Sequence, residues 1–109
     1  MAKYALLFSY TSDAWARMIN SPSDRAAAAR QMVESLGGTL ECAYFMLGAY
    51  DGIVVADLPD SVTAAAVSIA VTSAGTFKHV ETHELFTQQQ IGHALEKAKN
   101  LTQVYQLPG

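Results

Sequence analysis

The first segment of the chain is apolar on both sides of an extended strand. Residues 3–10, KYALLFSY, alternate between a row of four large side chains and a row of smaller ones. The large row consists of Tyr4, Leu6, Phe8 and Tyr10. Because a strand with two apolar faces must be covered on both, the pattern predicts the central strand of a sheet from Lys3 to Tyr10.

A long helix is predicted further along, in SPSDRAAAARQMVESLGG. Ser21 is a favourable N-cap, Pro22 suits a first helical turn, and the alanine run favours helix. Asp24 lies where a carboxylate can also cap the helix and interact with its dipole. Gly37 provides the left-handed conformation with which many helices end. The spacing of the apolar side chains predicts one buried stripe, made of Ala29, Met32, Val33 and Leu36.

Three further helices are predicted from their capping residues. A short one covers residues 14–20, after the candidate caps in TSD. A second, rich in small residues, follows Asp60 and covers residues 61–74. The last covers residues 91–99, behind a capping box in which Thr87 is the N-cap.

Extended segments separate these helices. TLECAYFML (39–47), IVVADL (53–58) and FKHVETHELF (77–86) complete a set of four strands. In the second strand, alternation predicts that one face carries Leu40, Cys42, Tyr44 and Met46.

The order of elements is β-α-β-β-α-β with an added C-terminal helix. This order predicts an α+β, ferredoxin-like fold, an antiparallel sheet with helices on one face. The length fits one domain, with its core in residues 3–86 and a helix and tail in residues 87–109. Since the strands are apolar on both faces, the second face needs a cover from another chain, the extra helix or a ligand. Sheet-to-sheet pairing of two copies is the simplest of these covers.

GAYDG, residues 48–52, joins the second and third strands and is predicted to form a hairpin. Gly48 and Gly52 permit left-handed backbone, and the Asp51 carboxylate favours turns. A phosphate-binding loop would lead into the N-terminus of a helix, whereas this segment leads into a strand. The two glycines therefore indicate a turn rather than a phosphate site.

Composition restricts the partners and the compartment. The formal net charge is −3 and the lysines and arginines are not clustered, so no nucleic-acid partner is expected. No apolar run reaches the length of a membrane span and the N-terminus lacks a signal-peptide pattern, so we expect no membrane partner and a cytoplasmic location. The single cysteine, Cys42, excludes an internal disulfide and a four-thiolate metal site.

Short motifs follow one another in a characteristic order along the chain. They are Tyr10-Thr11, Ser21-Pro22 with Arg25, Gly37-Gly38, Tyr44, Leu47-Gly48, Tyr50-Asp51 and Pro59-Asp60. In this order they resemble the GYD domain family, from Lys3 to about Gln90, with Ala49 between the glycine and the Tyr-Asp pair of the signature. The resemblance implies a dimeric α/β barrel, in which ferredoxin-like subunits pair through their sheets. That superfamily includes small monooxygenases, haem-handling proteins, isomerases and effector-binding modules, and the resemblance implies no particular one of these activities.

His79, Glu81 and His83 alternate along the fourth strand and therefore share one face. Two imidazoles and a carboxylate are a common set of transition-metal ligands. Same-face neighbours on a strand lie about 7 Å apart, and edge strands often carry charge, so a solvated polar face is the competing interpretation. We expect no metal and no cofactor, and these three residues are the candidate ligands if a metal binds.

Aromatic side chains of the first two strands are candidates for lining a pocket with hydroxyl groups at its edge. The candidate ligand-binding residues are Tyr4, Phe8, Tyr10, Arg25, Tyr44, Phe45 and Tyr50. Arg25 either binds an anionic group or pairs with a carboxylate such as Asp24. In the competing interpretation the rings pack under the helices or across a dimer, and Asp51 caps its own hairpin.

Three functions are compatible with these residues. The first is a homo-oligomeric binding or interaction protein for a small apolar or aromatic ligand. The second is a cofactor-independent enzyme, monooxygenase- or isomerase-like, with Tyr50, Asp51 or His83 as acid or base. The third is a structural subunit of an assembly. A ligand-sized pocket that contains the Tyr50-Asp51 pair or the histidines favours the first two, and a flat, filled interface favours the third.

Overall fold

A computed structural model describes the whole chain, Met1–Gly109, as one four-stranded antiparallel sheet with four helices. The strands are β1 (Ala2–Tyr10), β2 (Thr39–Phe45), β3 (Gly52–Leu58) and β4 (Phe77–Leu85). The helices are α1 (Ser12–Asn20), α2 (Arg25–Ser35), α3 (Ser61–Ser73) and α4 (Gln88–Leu101). The strand order is β2-β3-β1-β4, so β1 is central and the predicted ferredoxin-like α+β fold is confirmed.

Local capping signals locate most of the helix ends. Thr11, Asp60 and Thr87 are the N-caps of α1, α3 and α4, and each side chain accepts a hydrogen bond from the backbone N–H three residues further on. Thr87 forms the predicted capping box. Gly37 and Gly75, which follow α2 and α3, have φ of +81° and +77°, the left-handed conformation that glycine adopts without strain.

Two residues were predicted as possible caps of α2, and of these Ser21 is wrong. Asp24 takes this role, and its carboxylate accepts a hydrogen bond from the N–H of Ala27 at 3.0 Å. Ser21 instead ends α1, where its own N–H donates to the carbonyl of Arg17. Asp24 has the further advantage of a negative charge at the positive end of the helix dipole.

β2 contains a bulge that was not predicted. Leu40 and Cys42 pair with consecutive residues of β3, so Glu41 is an extra residue in β2. The bulge puts Leu40 and Cys42 on opposite faces, and the predicted common face is therefore wrong at Leu40. Glu41 forms an ion pair of 2.9 Å with the lysine of β1. β2 also ends at Phe45, two residues before the predicted end.

The link between β2 and β3 is the predicted hairpin. Gly48 has a φ of +146° and provides the conformational freedom of the turn. Gly52 has a different role, because it lies inside β3 without a positive φ. A Cβ atom on Gly52 would overlap the ring of Phe8 on β1, so this glycine is required for close packing rather than for the turn.

The core lies between one face of the sheet and the helices α2 and α3. It consists of Tyr4, Leu6, Val33, Ala56, Leu58, Ala64 and Val67. Of the stripe predicted for α2 only Val33 is buried, whereas Met32 and Leu36 remain exposed. The alanines of α2 therefore do not bring this helix into full contact with the sheet.

The other face of the sheet, called here the open face, carries no helix. Its centre is apolar, with Ala5 and Leu7 of β1 beside Val55 of β3, but its β4 side is polar. The expectation of two apolar faces thus holds for β1 and β3 and fails for β4. α4 buries none of its residues and does not cover this face. No helix of the chain is both long enough and apolar enough to cross a membrane.

Candidate functional site

A cavity of about 150 Å³ lies between α2 and the helix-covered face of the sheet. The central strands contribute Phe8 and Val54 to its wall, α2 contributes Ala29 and Met32, and β4 contributes Phe77. Of the 20 residues that line the cavity, 19 are hydrophobic, so the space suits an apolar molecule rather than a metal ion or a phosphate.

The alanine run of α2 accounts for this space. The helix presents Ala26, Ala28 and Ala29 to the cavity, and these side chains end at the Cβ atom. Only Val33, one turn further on, is buried. Because larger side chains fill such gaps in ordinary protein interiors, the small ones leave a void above β1 and β3.

Four aromatic rings line one end of the cavity, and the ring of Trp15 packs against one of them. Tyr10 is the central ring, and its centroid lies 5.4 Å from that of Phe8 and 5.1 Å from that of Phe77. Trp15 and Phe45 flank Tyr10 at 5.1 Å and 6.3 Å. These separations are typical of mutually stabilising aromatic pairs. Trp15 is the only tryptophan, and although it does not line the cavity, its ring packs against Tyr10, which does. Its fluorescence therefore reports on the surroundings of Tyr10.

The cavity brings together five of the seven predicted ligand-binding residues, namely Phe8, Tyr10, Arg25, Tyr44 and Phe45. Phe45 remains 58% exposed, so the β2 side of the cavity is open to solvent. Tyr44 pairs with Ile53, which pairs with Leu7 of the open face, so alternation places the Tyr44 ring on that face. The other two predicted residues lie elsewhere. Tyr4 is buried in the core cluster, and Tyr50 lies at the open face, where it is bonded to Glu81.

Arg25, the first residue of α2, is the only charged residue in the cavity wall. It forms no ion pair, so the alternative that it pairs with Asp24 is wrong. Burial raises the pKa of the Tyr10 hydroxyl, and the neighbouring Arg25 guanidinium offsets part of this rise. Tyr10 therefore stays protonated at neutral pH and its hydroxyl is a hydrogen-bond donor beside the guanidinium.

A polar cluster on the open face centres on Glu81. Its carboxylate accepts hydrogen bonds from the Tyr50 hydroxyl, from Nε2 of His79 at 2.8 Å and from Nε2 of His83 at 2.9 Å. These bonds, of which the one from Tyr50 has the largest effect, lower the pKa of Glu81 to about 2. The same contact raises the pKa of Tyr50. Because an ionised carboxylate only accepts hydrogen bonds, both imidazoles donate through Nε2.

The three candidate metal ligands all belong to this cluster, in which each of the two histidines is hydrogen-bonded to Glu81. No group of three or more His, Cys, Asp or Glu side chains in the chain is arranged to hold a metal ion. Glu81 pairs with Leu7 of β1 on the open face, whereas the adjacent Val80 lines the cavity. The cluster and the cavity therefore lie on opposite faces of the sheet, and a ligand in the cavity does not reach the cluster.

Asp51 has a role that sequence reasoning missed. Its carboxylate accepts a hydrogen bond from the backbone N–H of Tyr10 at 2.9 Å, and its own N–H donates to the carbonyl of Phe8 at 2.7 Å. The hydroxyl of Ser9 donates to the carbonyl of Ala49 at 2.7 Å. These bonds fix the hairpin to the end of β1, so the interpretation that Asp51 caps its own hairpin is wrong. The Tyr-Asp motif indicated the position, but nothing in the sequence indicated the partner strand.

The chain was compared with known proteins in three ways. The model of one protein family, described as GYD domain, matches residues 4–95. No curated protein and no solved structure matches the chain. The matched range includes the hairpin, the cavity walls and the polar cluster.

Proposed function

We propose a function on the premise that this chain belongs to the GYD domain family, whose model matches most of its length. The protein is a homo-oligomeric binding protein that holds a small apolar or aromatic molecule in the cavity between α2 and the sheet. The observation that carries the proposal is the cavity itself, about 150 Å³ of apolar space that no side chain of the protein fills.

The size and lining of the cavity support an organic ligand rather than water. In another protein, an engineered apolar cavity of about 150 Å³ stays dry and binds benzene. A buried water needs several polar partners, whereas the wall here offers them only near Tyr10 and Arg25. An aromatic ring in the remaining space would contact Phe8, Ala29 and Val54, and its transfer from water would drive binding.

The homo-oligomeric part of the proposal is supported by surfaces that the chain leaves without a partner. α4 carries apolar side chains at helical spacing, and Ile91 and Leu95 are 40% and 62% exposed. A single helix that buries none of its residues is marginal in water, so α4 needs packing that one copy does not provide. A second copy, paired across the open face as in a dimeric α/β barrel, supplies it.

The cavity contains neither the Tyr50-Asp51 pair nor the histidines, so it favours binding over catalysis, and its unfilled space favours binding over a purely structural role. A cofactor-independent enzyme needs an acid or base beside the ligand, and Tyr50, Glu81 and His83 lie on the opposite face of the sheet. The carboxylate of Asp51 already accepts the N–H of Tyr10. A purely structural subunit has no use for unfilled space, since native interiors are close-packed.

Ala29→Phe is expected to weaken the binding of benzene strongly, whereas Ala27→Phe is expected to leave it unchanged. The new ring at residue 29 would occupy the cavity as a tethered ligand, because a phenyl group is about the size that such a cavity holds. Ala27 is exposed on the same helix and does not line the cavity. Titration with benzene, followed through Trp15 fluorescence and amide chemical shifts, should give at least about tenfold weaker binding for Ala29→Phe.

Sedimentation equilibrium is the control for both variants, and each should remain a homo-oligomer like the wild-type protein. Wild-type protein that fails to bind benzene, or Ala29→Phe that binds it as tightly as wild type, would contradict the proposed binding function. A monomeric wild-type protein would overturn the homo-oligomeric part.

A further inference from the structure

We infer that the bound molecule is a small carboxylic acid, with its apolar body in the cavity and its carboxylate paired with the guanidinium of Arg25. This inference rests on the proposed function and specifies the class of ligand. Three features at the start of α2 carry it. They are a polar cleft that adjoins the cavity, an arginine without an acidic partner, and the charge of that cleft.

The polar cleft shares part of its wall with the cavity. Tyr10 and Arg25 line both spaces. Beyond them, the end of α1 and the link to α2 contribute polar groups, including Arg17, Ser21 and Ser23. A molecule whose apolar end fills the cavity would therefore carry its other end past Tyr10 and Arg25 into a polar environment.

Arg25 has a charge that nothing in the chain neutralises directly. The ion pairs of the protein join Lys3 to two carboxylates and Glu81 to two imidazoles, and none includes Arg25. The adjacent Asp24 uses its carboxylate as the N-cap of α2. Arg25 is half-buried, and a partly desolvated guanidinium without a counter-ion is unfavourable. Its N–H donors are therefore available to an anionic group of a ligand.

The charge of the cleft favours a ligand with one negative charge. Its walls contain two arginines, Arg17 and Arg25, and one carboxylate, that of Asp13, which leaves a single positive charge. Asp51 lies nearby, but its carboxylate accepts the N–H of Tyr10. A planar carboxylate matches the parallel donors of a guanidinium, and the Tyr10 hydroxyl provides a further donor at the same place.

Benzoate and benzamide test this inference, because they carry the same ring and differ in charge. Wild-type protein is expected to bind benzoate about tenfold more tightly than benzamide, as measured by amide chemical shifts at pH 7. Arg25→Gln should lose this preference, so that the ratio of the benzoate affinity to the benzamide affinity falls to about one. Arg25→Lys, which keeps the charge, should retain part of the preference. Arg30→Gln is the matched control, because Arg30 lies on the same helix and lines neither the cavity nor the cleft.

The outcomes separate this inference from the function on which it rests. If wild-type protein binds the two probes equally, or if Arg25→Gln keeps the tenfold preference, the carboxylate inference is overturned and the binding function stands. If neither probe binds, the inference is also overturned, and the benzene titration decides independently whether the binding function fails. Thermal unfolding of each arginine variant verifies that a lost preference does not come from lost folding.

Discussion

Gly38→Ala is expected to lower the free energy of unfolding by about 3 kcal/mol. The added Cβ atom would lie closer than 3.0 Å to the backbone carbonyl oxygen of Asp57, and 3.0 Å and 3.1 Å from side-chain atoms of Val33 and Leu58. Asp57 belongs to β3, which is paired with a strand on each side. Its carbonyl therefore cannot move away without disturbing the sheet, and α2 would have to shift instead.

The matched control for this variant is Gly92→Ala, which adds the same methyl group in α4 where no atom lies within 4 Å. The new methyl group contacts nothing in the chain, and alanine favours helix over glycine by up to about 1 kcal/mol, so no stability should be lost. Equilibrium denaturation by urea measures both variants. A loss below about 1 kcal/mol for Gly38→Ala would contradict the close approach of the α2–β2 turn to β3, which holds α2 over the cavity.

Asp51→Ala is expected to cost about 2 kcal/mol of unfolding free energy, because it leaves the backbone N–H of Tyr10 without an acceptor. Tyr10 is only 3% exposed, so water does not readily replace the lost carboxylate. Asp51→Asn keeps an oxygen atom in this position and is expected to lose less than about 1 kcal/mol. The comparison is made by urea denaturation at neutral pH.

The same pair of variants tests whether the aspartate of the Tyr-Asp signature has a structural role. Because Asp51 fixes the hairpin to the end of β1, its loss should also disturb Tyr10 and weaken the binding of benzene. If Asp51→Ala is as stable as the wild-type protein, the hydrogen bond to Tyr10 does not stabilise the fold, and the structural explanation of the signature fails.

The sequence predicts those features of the fold that depend on neighbouring residues. The capping box of Thr87 and the left-handed glycine at Gly37 are local, since each involves residues within one turn of a helix. The central position of β1 also follows from its own alternation, because both of its faces are apolar. The order of these elements was then sufficient to predict the ferredoxin-like sheet.

Features that depend on contacts between distant residues were not predictable in this way. The bulge at Glu41 brings its carboxylate to Lys3, and Gly52 makes room for Phe8, but neither sequence neighbourhood contains the partner. The choice between the two predicted caps of α2 was not determined by the sequence for a related reason. Ser21 and Asp24 are both suitable caps, and the choice depends on how far α1 extends towards them.

The sequence predicted only part of the candidate site, because the rest of the site depends on contacts between distant residues. Phe8 and Tyr10 share a face of β1, which identified them as possible pocket residues before their surroundings were known. The cavity itself was not predicted, because an alanine run such as that around Ala29 indicates helix and carries no information about the gap above the sheet. The separation of Tyr50 from this cavity also depends on pairing across the sheet, through Glu81 on β4.

The central claim is that the space between α2 and the sheet is a binding cavity. A crystal structure of the protein determined after exposure of the crystals to benzene tests this claim most directly. The account predicts electron density for one ring in contact with Phe8, Ala29 and Val54. A cavity that excludes benzene at saturation, or that is filled by the protein's own side chains, would contradict it.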